Sequence, residues 1–156
     1  MVFISPTKGR LTFNETFKDI VKYIEEAPGF RYRLIIGTDS QLREEAYFVT
    51  AIIVHRVGKG ARYYYAREKE KVGKSLRQRI FYEAAKSLSV ASKLAEKLAQ
   101  NGHSEFNVEI HLDVGVNGET KDLIREVVAM VTGTGFAAKI KPESYGASKV
   151  ADKHTK

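Results

Sequence analysis

Two aspartates follow apolar runs in a way that sets a carboxylate at the end of a buried strand. Asp39 ends the apolar part of RLIIGTDSQ, which spans residues 33–41. Asp113 lies in FNVEIHLDVGV, where alternation puts Ile110 and Leu112 on one face and His111 and Asp113 on the other. An Asp at a strand end is ordinarily a turn former, because its side chain accepts from backbone N–H groups two residues on. For Asp39 alone that reading is the stronger, so chemistry requires company. Carboxylates brought together would bind hard dications, since Mg²⁺ and Mn²⁺ prefer carboxylate oxygens and water to thiolates or a ring of imidazoles. His111-Leu112-Asp113 is also an HxD pattern, a spacing that elsewhere supplies zinc or iron ligands. A single HxD is a weak signal, and the other imidazoles show no ligand spacing. His55 reads as a strand residue and His103 as a loop residue. No glycine-rich loop of the P-loop or dinucleotide type occurs, which argues against nucleotide-driven chemistry.

The elements that must position these residues follow from periodicity. TFNETFKDIVKYIEEAPG opens with Thr12 three residues before Glu15, a capping-box spacing, and Phe13, Phe17, Ile20, Val21 and Ile24 recur at helical intervals up to Pro28-Gly29. YRLIIGTD, AYFVTAIIVHRV and ARYYYAREKEKV are rich in β-branched and aromatic residues, with Gly58-Lys59-Gly60 as a hairpin signal, and predict an antiparallel meander. A long helix is predicted over 75–100, where Leu76, Ile80, Ala84, Leu88, Ala91, Ala95 and Leu98 trace one stripe before Asn101-Gly102. FNVEIHLDVGV predicts a strand, Gly118 to Val131 a helix, FAAKIK a short strand stopped by Pro142, and the stretch from Ala147 a final short helix.

Composition sets the bounds. The 156 residues fit one domain with a substantial core, and 43% hydrophobic with 29% charged content is that of a folded globular chain. No apolar stretch approaches the roughly 20 residues of a membrane span. MVFISPTKGR lacks the pattern of a secretory signal, and the absence of cysteine excludes disulfides and thiolate zinc sites, so a cytoplasmic protein is expected. The 26 Lys and Arg against 19 Asp and Glu give a net charge of +7, which favours polyanionic partners. Lys139, Lys141, Lys149, Lys153 and Lys156 crowd the C-terminal segment, and Arg77 and Arg79 open the long helix.

A helix, a three-stranded meander and then alternating helices and strands make an α/β protein: a mixed five-stranded sheet, antiparallel then parallel, with helices on both faces. After the first helix this is the order of the ribonuclease H-like fold. GTDSQ, HLDVGVNGETKDLI and GFAAKIKPESYGASKVADKHTK, with their spacing, resemble the YkuK-type ribonuclease H-like family over 32–156. A single domain over 1–156 is expected, with 1–30 as an N-terminal helical extension and 31–156 as the core.

The resemblance implies a divalent-metal-dependent nuclease in which the first strand, the first long helix, the fourth strand and the closing helix each carry an acid. Here these are Asp39, Glu83, Asp113 and Asp152. Two Mg²⁺ or Mn²⁺ ions about 4 Å apart would neutralise the attacking and leaving oxygens of a phosphodiester. Asp39 would bridge them, Asp113 would complete one shell, and Glu83 and Asp152 would hold the second ion or its water. Two readings of Glu83 stay open: a ligand, and a solvent-facing residue paired with Arg79 or Lys86. Asp152 is equally readable as a fraying C-terminal charge. His154 could relay protons if the tail folds over the site, or be a solvated tail residue. Arg77, Arg79, Lys141 and Ser144 are the expected nucleic-acid contacts, whether the substrate is RNA, DNA or a hybrid. A nucleic-acid-binding module of the same fold without turnover is the alternative.

Overall fold

The computed structural model describes residues 1–42, 45–73, 75–116, 118–144 and 154. Its sheet has seven strands in the order β2-β1-β5-β4-β3-β6-β7. The expectation of five strands is corrected by a hairpin of β1 (Val2–Ser5) and β2 (Gly9–Thr12), which adds to the meander along β5 through Ile4 and Tyr65. Each of these strands is only four residues long, too short for a period-2 pattern to stand out. Gly9, at φ 76°, supplies the left-handed residue that closes the hairpin.

The meander itself is β3 (Tyr32–Leu42), β4 (Ala46–Arg56) and β5 (Gly60–Glu70), eleven residues each. Between β2 and β3 lies α1 (Phe13–Glu25), whose capping box is complete: the Thr12 side chain accepts from the Glu15 N–H, and the Glu15 carboxylate accepts from the Thr12 N–H. Then come α2 (Leu76–Gln100) and β6 (Val108–His111), which is parallel to β3 with Gly37 beside His111. A 3-10 turn over Lys121–Leu123 leads into α3 (Ile124–Thr132), and β7 (Ala137–Lys139) runs parallel to β6. The helix expected from Gly118 thus begins as a tighter turn and reaches α-geometry only at Ile124.

Strand alternation sorts the sheet into two faces. Leu34, Ile36, Ile52, Val54, Tyr64 and Ile110 point to a single core that they share with Ile20 of α1, Leu94 and Leu98 of α2, and Val127 and Val131 of α3. Burying each such aliphatic side chain contributes about 1.5–3 kcal/mol. All three described helices therefore pack on one face, where helices on both were expected. The opposite face carries Ile35, Ile53 and Tyr63, then Val49, Ala51 and Tyr65. The helix expected from Ala147 lies outside the described residues apart from His154. No described helix is long and apolar enough to cross a membrane.

The N-terminal helix is an integral layer, with Phe17, Ile20, Tyr23 and Ile24 buried against the sheet. Its inward Asp19 is bound by Lys8 and the Tyr64 hydroxyl, and Arg62 lies 3.4 Å away. Arg56 sits over the Tyr23 ring, 4.0 Å from its centroid, and donates to the Tyr23 carbonyl.

Candidate metal and nucleic-acid site

Asp39 occupies β3 on the face away from the described helices, opposite Val49 of β4. Asp113 follows β6 on the neighbouring parallel strand. Regular pairing with β7 stops at His111 and Lys139, but the Leu112 N–H still reaches the Lys139 carbonyl and the Lys141 N–H reaches the Val114 carbonyl, both at 2.8 Å. That irregular continuation brings Lys141 alongside Asp113, Nζ to Oδ1 at 2.7 Å. The eleven-residue strand expected over FNVEIHLDVGV is therefore regular only over Val108–His111, and the acid sits where regularity ends.

Glu83 comes from the other side. It is only 7% exposed, so its solvent-facing reading is overturned. Arg79, Glu83 and Ser87 recur every four residues, one step aside from the apolar stripe, and turn a polar ridge of α2 toward the sheet. Ser87 Oγ lies 2.8 Å from Thr38 Oγ1, which lies 3.0 Å from Thr50 Oγ1, and the Ser40 hydroxyl donates to Glu83 Oε2. Lys86, the other partner considered for Glu83, instead joins Glu68 and Glu70.

Burial pushes the Glu83 carboxyl well above the usual carboxylate range, opposed by the Ser40 hydrogen bond and reinforced by the negative charges of Asp39 and Asp113. Arg79 acts in the lowering direction, and its own Nε is buried without a hydrogen-bond partner. A carboxyl raised in the folded state binds its proton more tightly there than in the unfolded chain. Its contribution to stability is therefore full below about pH 4.5 and declines as pH rises toward the folded value. We expect Glu83→Gln to remove that decline: the gap in urea midpoint between variant and parent should widen in the variant's favour from pH 5 to pH 8. A gap that stays constant would show that Glu83 titrates normally.

His111, 3% exposed, is hydrogen-bonded through Nε2 to Glu109 at 2.7 Å, while its buried Nδ1 has no partner. Burial would raise Glu109, but the bonds from His111 and Arg33 prevail and hold its carboxyl at about 2. With that carboxylate ionised, the ring nitrogen facing it carries the proton. The HxD histidine is thus engaged by its own strand. His55 pairs across the sheet with Arg33 and Ala61 in register, and His103 lies in the loop after α2.

The remaining candidates separate. His154 stacks on Tyr65, with ring centroids 3.8 Å apart, and hydrogen-bonds the Tyr63 hydroxyl at 3.3 Å, so this tail residue lies on Asp39's face of the sheet. Asp152 lies outside the described residues. Arg77 is exposed and ion-paired with Glu126 of α3. Ser144 is fully buried with Oγ unpartnered, so a surface phosphate does not reach it as it stands.

An all-carboxylate donor set fits Mg²⁺ or Mn²⁺ in chemistry. Its members are nonetheless held by protein partners, Asp113 by Lys141 and Glu83 by Ser40, and among the described residues no three His, Cys, Asp or Glu side chains converge as a cation site. The cationic Lys141 and Arg79 stand beside the acids where a dication would otherwise balance them.

Comparison with known proteins agrees with this arrangement of elements. A family model described as Ribonuclease H-like matches residues 15–156. The uncharacterized protein YkuK of Bacillus subtilis (strain 168) is 34% identical over 169 residues, covering 99% of this chain and 97% of that protein. No solved structure matches the chain.

Proposed function

Because the chain belongs to the YkuK-type ribonuclease H-like family, we propose that it is a divalent-metal-dependent nuclease whose cations are held by Asp39, Glu83, Asp113 and Asp152. The observation that carries this reading is Glu83: a helix carboxyl almost wholly buried within the fields of Asp39, inside β3, and Asp113, just past the end of β6. Like charges gathered in low dielectric raise one another's pKa and cost stability, an arrangement that a cation relieves. Bound there, Mg²⁺ or Mn²⁺ would supply charge neutralisation at the attacking and leaving oxygens.

The chain's own residues do the rest. Asp39 lies in regular strand, paired with Val49 of β4 two residues past the last β3–β6 pair at Gly37, so its backbone position is set before any ligand arrives. The Lys141 side chain, 57% exposed, can leave Asp113 and offer its ammonium to a substrate phosphate. Burial and the neighbouring negative charges raise the Glu83 carboxyl, and a cation would lower it again, so binding should release protons to solvent.

The experiment is incubation with labelled RNA, RNA/DNA hybrid, duplex DNA and a four-way junction, each with Mg²⁺, Mn²⁺ or chelator. Cleavage of at least one substrate with metal and none with chelator is expected. A second reading, a binding module without turnover, is favoured by the Lys141–Asp113 ion pair, which fills the place of a cation with a protein group. Salt-dependent binding with every substrate intact would establish it instead.

A further inference from the structure

The charges of β5 are sorted by face. In the run Arg67-Glu68-Lys69-Glu70 the signs alternate, and the period of a strand is two, so both cations go to one face and both anions to the other. Glu68 and Glu70 meet α2, where each lies 3.1 Å from Lys86. Arg67 and Lys69 stand exposed on Asp39's face. Register places them with care: Asp39 pairs with Val49, which pairs with Arg67, and Gln41 pairs with Tyr47, which pairs with Lys69. Two strand spacings separate the Asp39 and Arg67 backbones, about 10 Å.

Neither cation is ion-paired with a carboxylate among the described residues; both instead lie against the Tyr47 ring, at 5.4 Å and 5.3 Å from its centroid. The ring's negative face holds them over the sheet, so less side-chain freedom is lost when an anion arrives.

We propose that Arg67 and Lys69, steadied by Tyr47, form a clamp for the backbone phosphates of a nucleic-acid strand that crosses the sheet from β5 toward Asp39. This rests on the nucleic-acid reading of the Asp39 site and names the path by which the strand reaches it. It differs from the contacts expected at Arg77 and Ser144, of which one is ion-paired with α3 and the other buried.

The test is fluorescence anisotropy of labelled 12-nucleotide oligo(U) and oligo(dT) in chelator over a salt series, so that absence of cleavage does not affect the readout. Each phosphate neutralised on a single strand contributes about 0.7 to the slope of log affinity against log salt. The double variant Arg67→Ala/Lys69→Ala should lower that slope by about 1.4, whereas Lys93→Ala, on the exposed side of α2, should leave it unchanged. Tyr47→Leu should weaken binding about two- to five-fold with the slope kept, because the charges remain but their positions loosen, and Tyr47→Phe should restore affinity. An unaltered slope in the double variant, or an equal loss in Lys93→Ala, overturns the clamp. If the slope falls as expected and no substrate is cut with metal, the clamp stands and the nuclease reading fails.

Discussion

Asp39→Asn is expected to abolish metal-dependent cleavage while leaving the fold intact. Asparagine keeps the shape and one oxygen but loses the charge that two cations would share. Removing one preorganised charge-stabilising group ordinarily costs about 10²–10³ in rate, and a ligand common to both ions should cost at least that. The metal-free protein should not suffer, because the substitution removes one of the two fields that raise Glu83, whose carboxyl then moves back toward the ordinary range. Asp113→Asn should act alike on Glu83 and in addition leave Lys141 without its partner. The measurements are a single-turnover cleavage assay and a urea melt on the same preparation. Full activity in Asp39→Asn would remove it from the site, and an unfolded variant would give it a structural role within β3.

Removing residues after Gly146 is expected to eliminate cleavage without unfolding the protein. Every residue of the described main core precedes the deletion, and of the removed segment only His154 has a described contact, on Tyr63 and Tyr65. Cooperative urea unfolding should therefore persist. Affinity for Mg²⁺ or Mn²⁺ should fall by about 10–100-fold or more, the scale seen even for residues that merely orient a ligand. Asp152→Asn in the full chain should reproduce the loss of cleavage. Metal that binds only the ordered tail adds RT ln(1 + [L]/Kd) to its stability, so tail amides should exchange more slowly with metal in the parent and not in Asp152→Asn. A truncated chain that binds metal and cuts as well as the whole one would leave three acids in the site.

Hydrophobic period made the long elements legible. The capping box of Thr12 and Glu15, the stripe of α2 and the three meander strands stand where the sequence puts them, because each repeats its pattern over three turns or eleven residues. Strand β3 nonetheless runs on to Leu42, so Asp39 lies inside the strand and not at its end. The shortest elements gave no such repeat: β1 and β2 are held by neighbours rather than by their own pattern, whereas the three-residue β7 falls within FAAKIK, where Pro142 marks its end. Glu83 shows the other limit. The apolar stripe of its helix leaves two readings of Glu83 open, ligand or solvent-facing residue, because the stripe does not tell that Thr38 and Ser40 of β3 face the polar ridge of Arg79, Glu83 and Ser87. The four-residue spacing of that ridge was the available signal. The sign alternation of Arg67 to Glu70 was likewise in plain view, but its meaning depends on which neighbour each face meets, and period alone does not tell that.

The same alternating charges bear on how the molecule meets its own copies. The sheet ends in β2 on one side and β7 on the other, four and three residues long, so neither border offers a long row of open N–H and C=O groups to another chain. The weak point is β5, eleven residues long and bridged by β1 only at Tyr65. Beyond that bridge its exposed border runs through Arg67, Glu68, Lys69 and Glu70, and charged side chains along a border oppose intermolecular strand pairing. A neutral, β-branched version of this stretch would be a template for edge-to-edge aggregation, so a segment suited to gripping phosphates also keeps the sheet from growing into its neighbours.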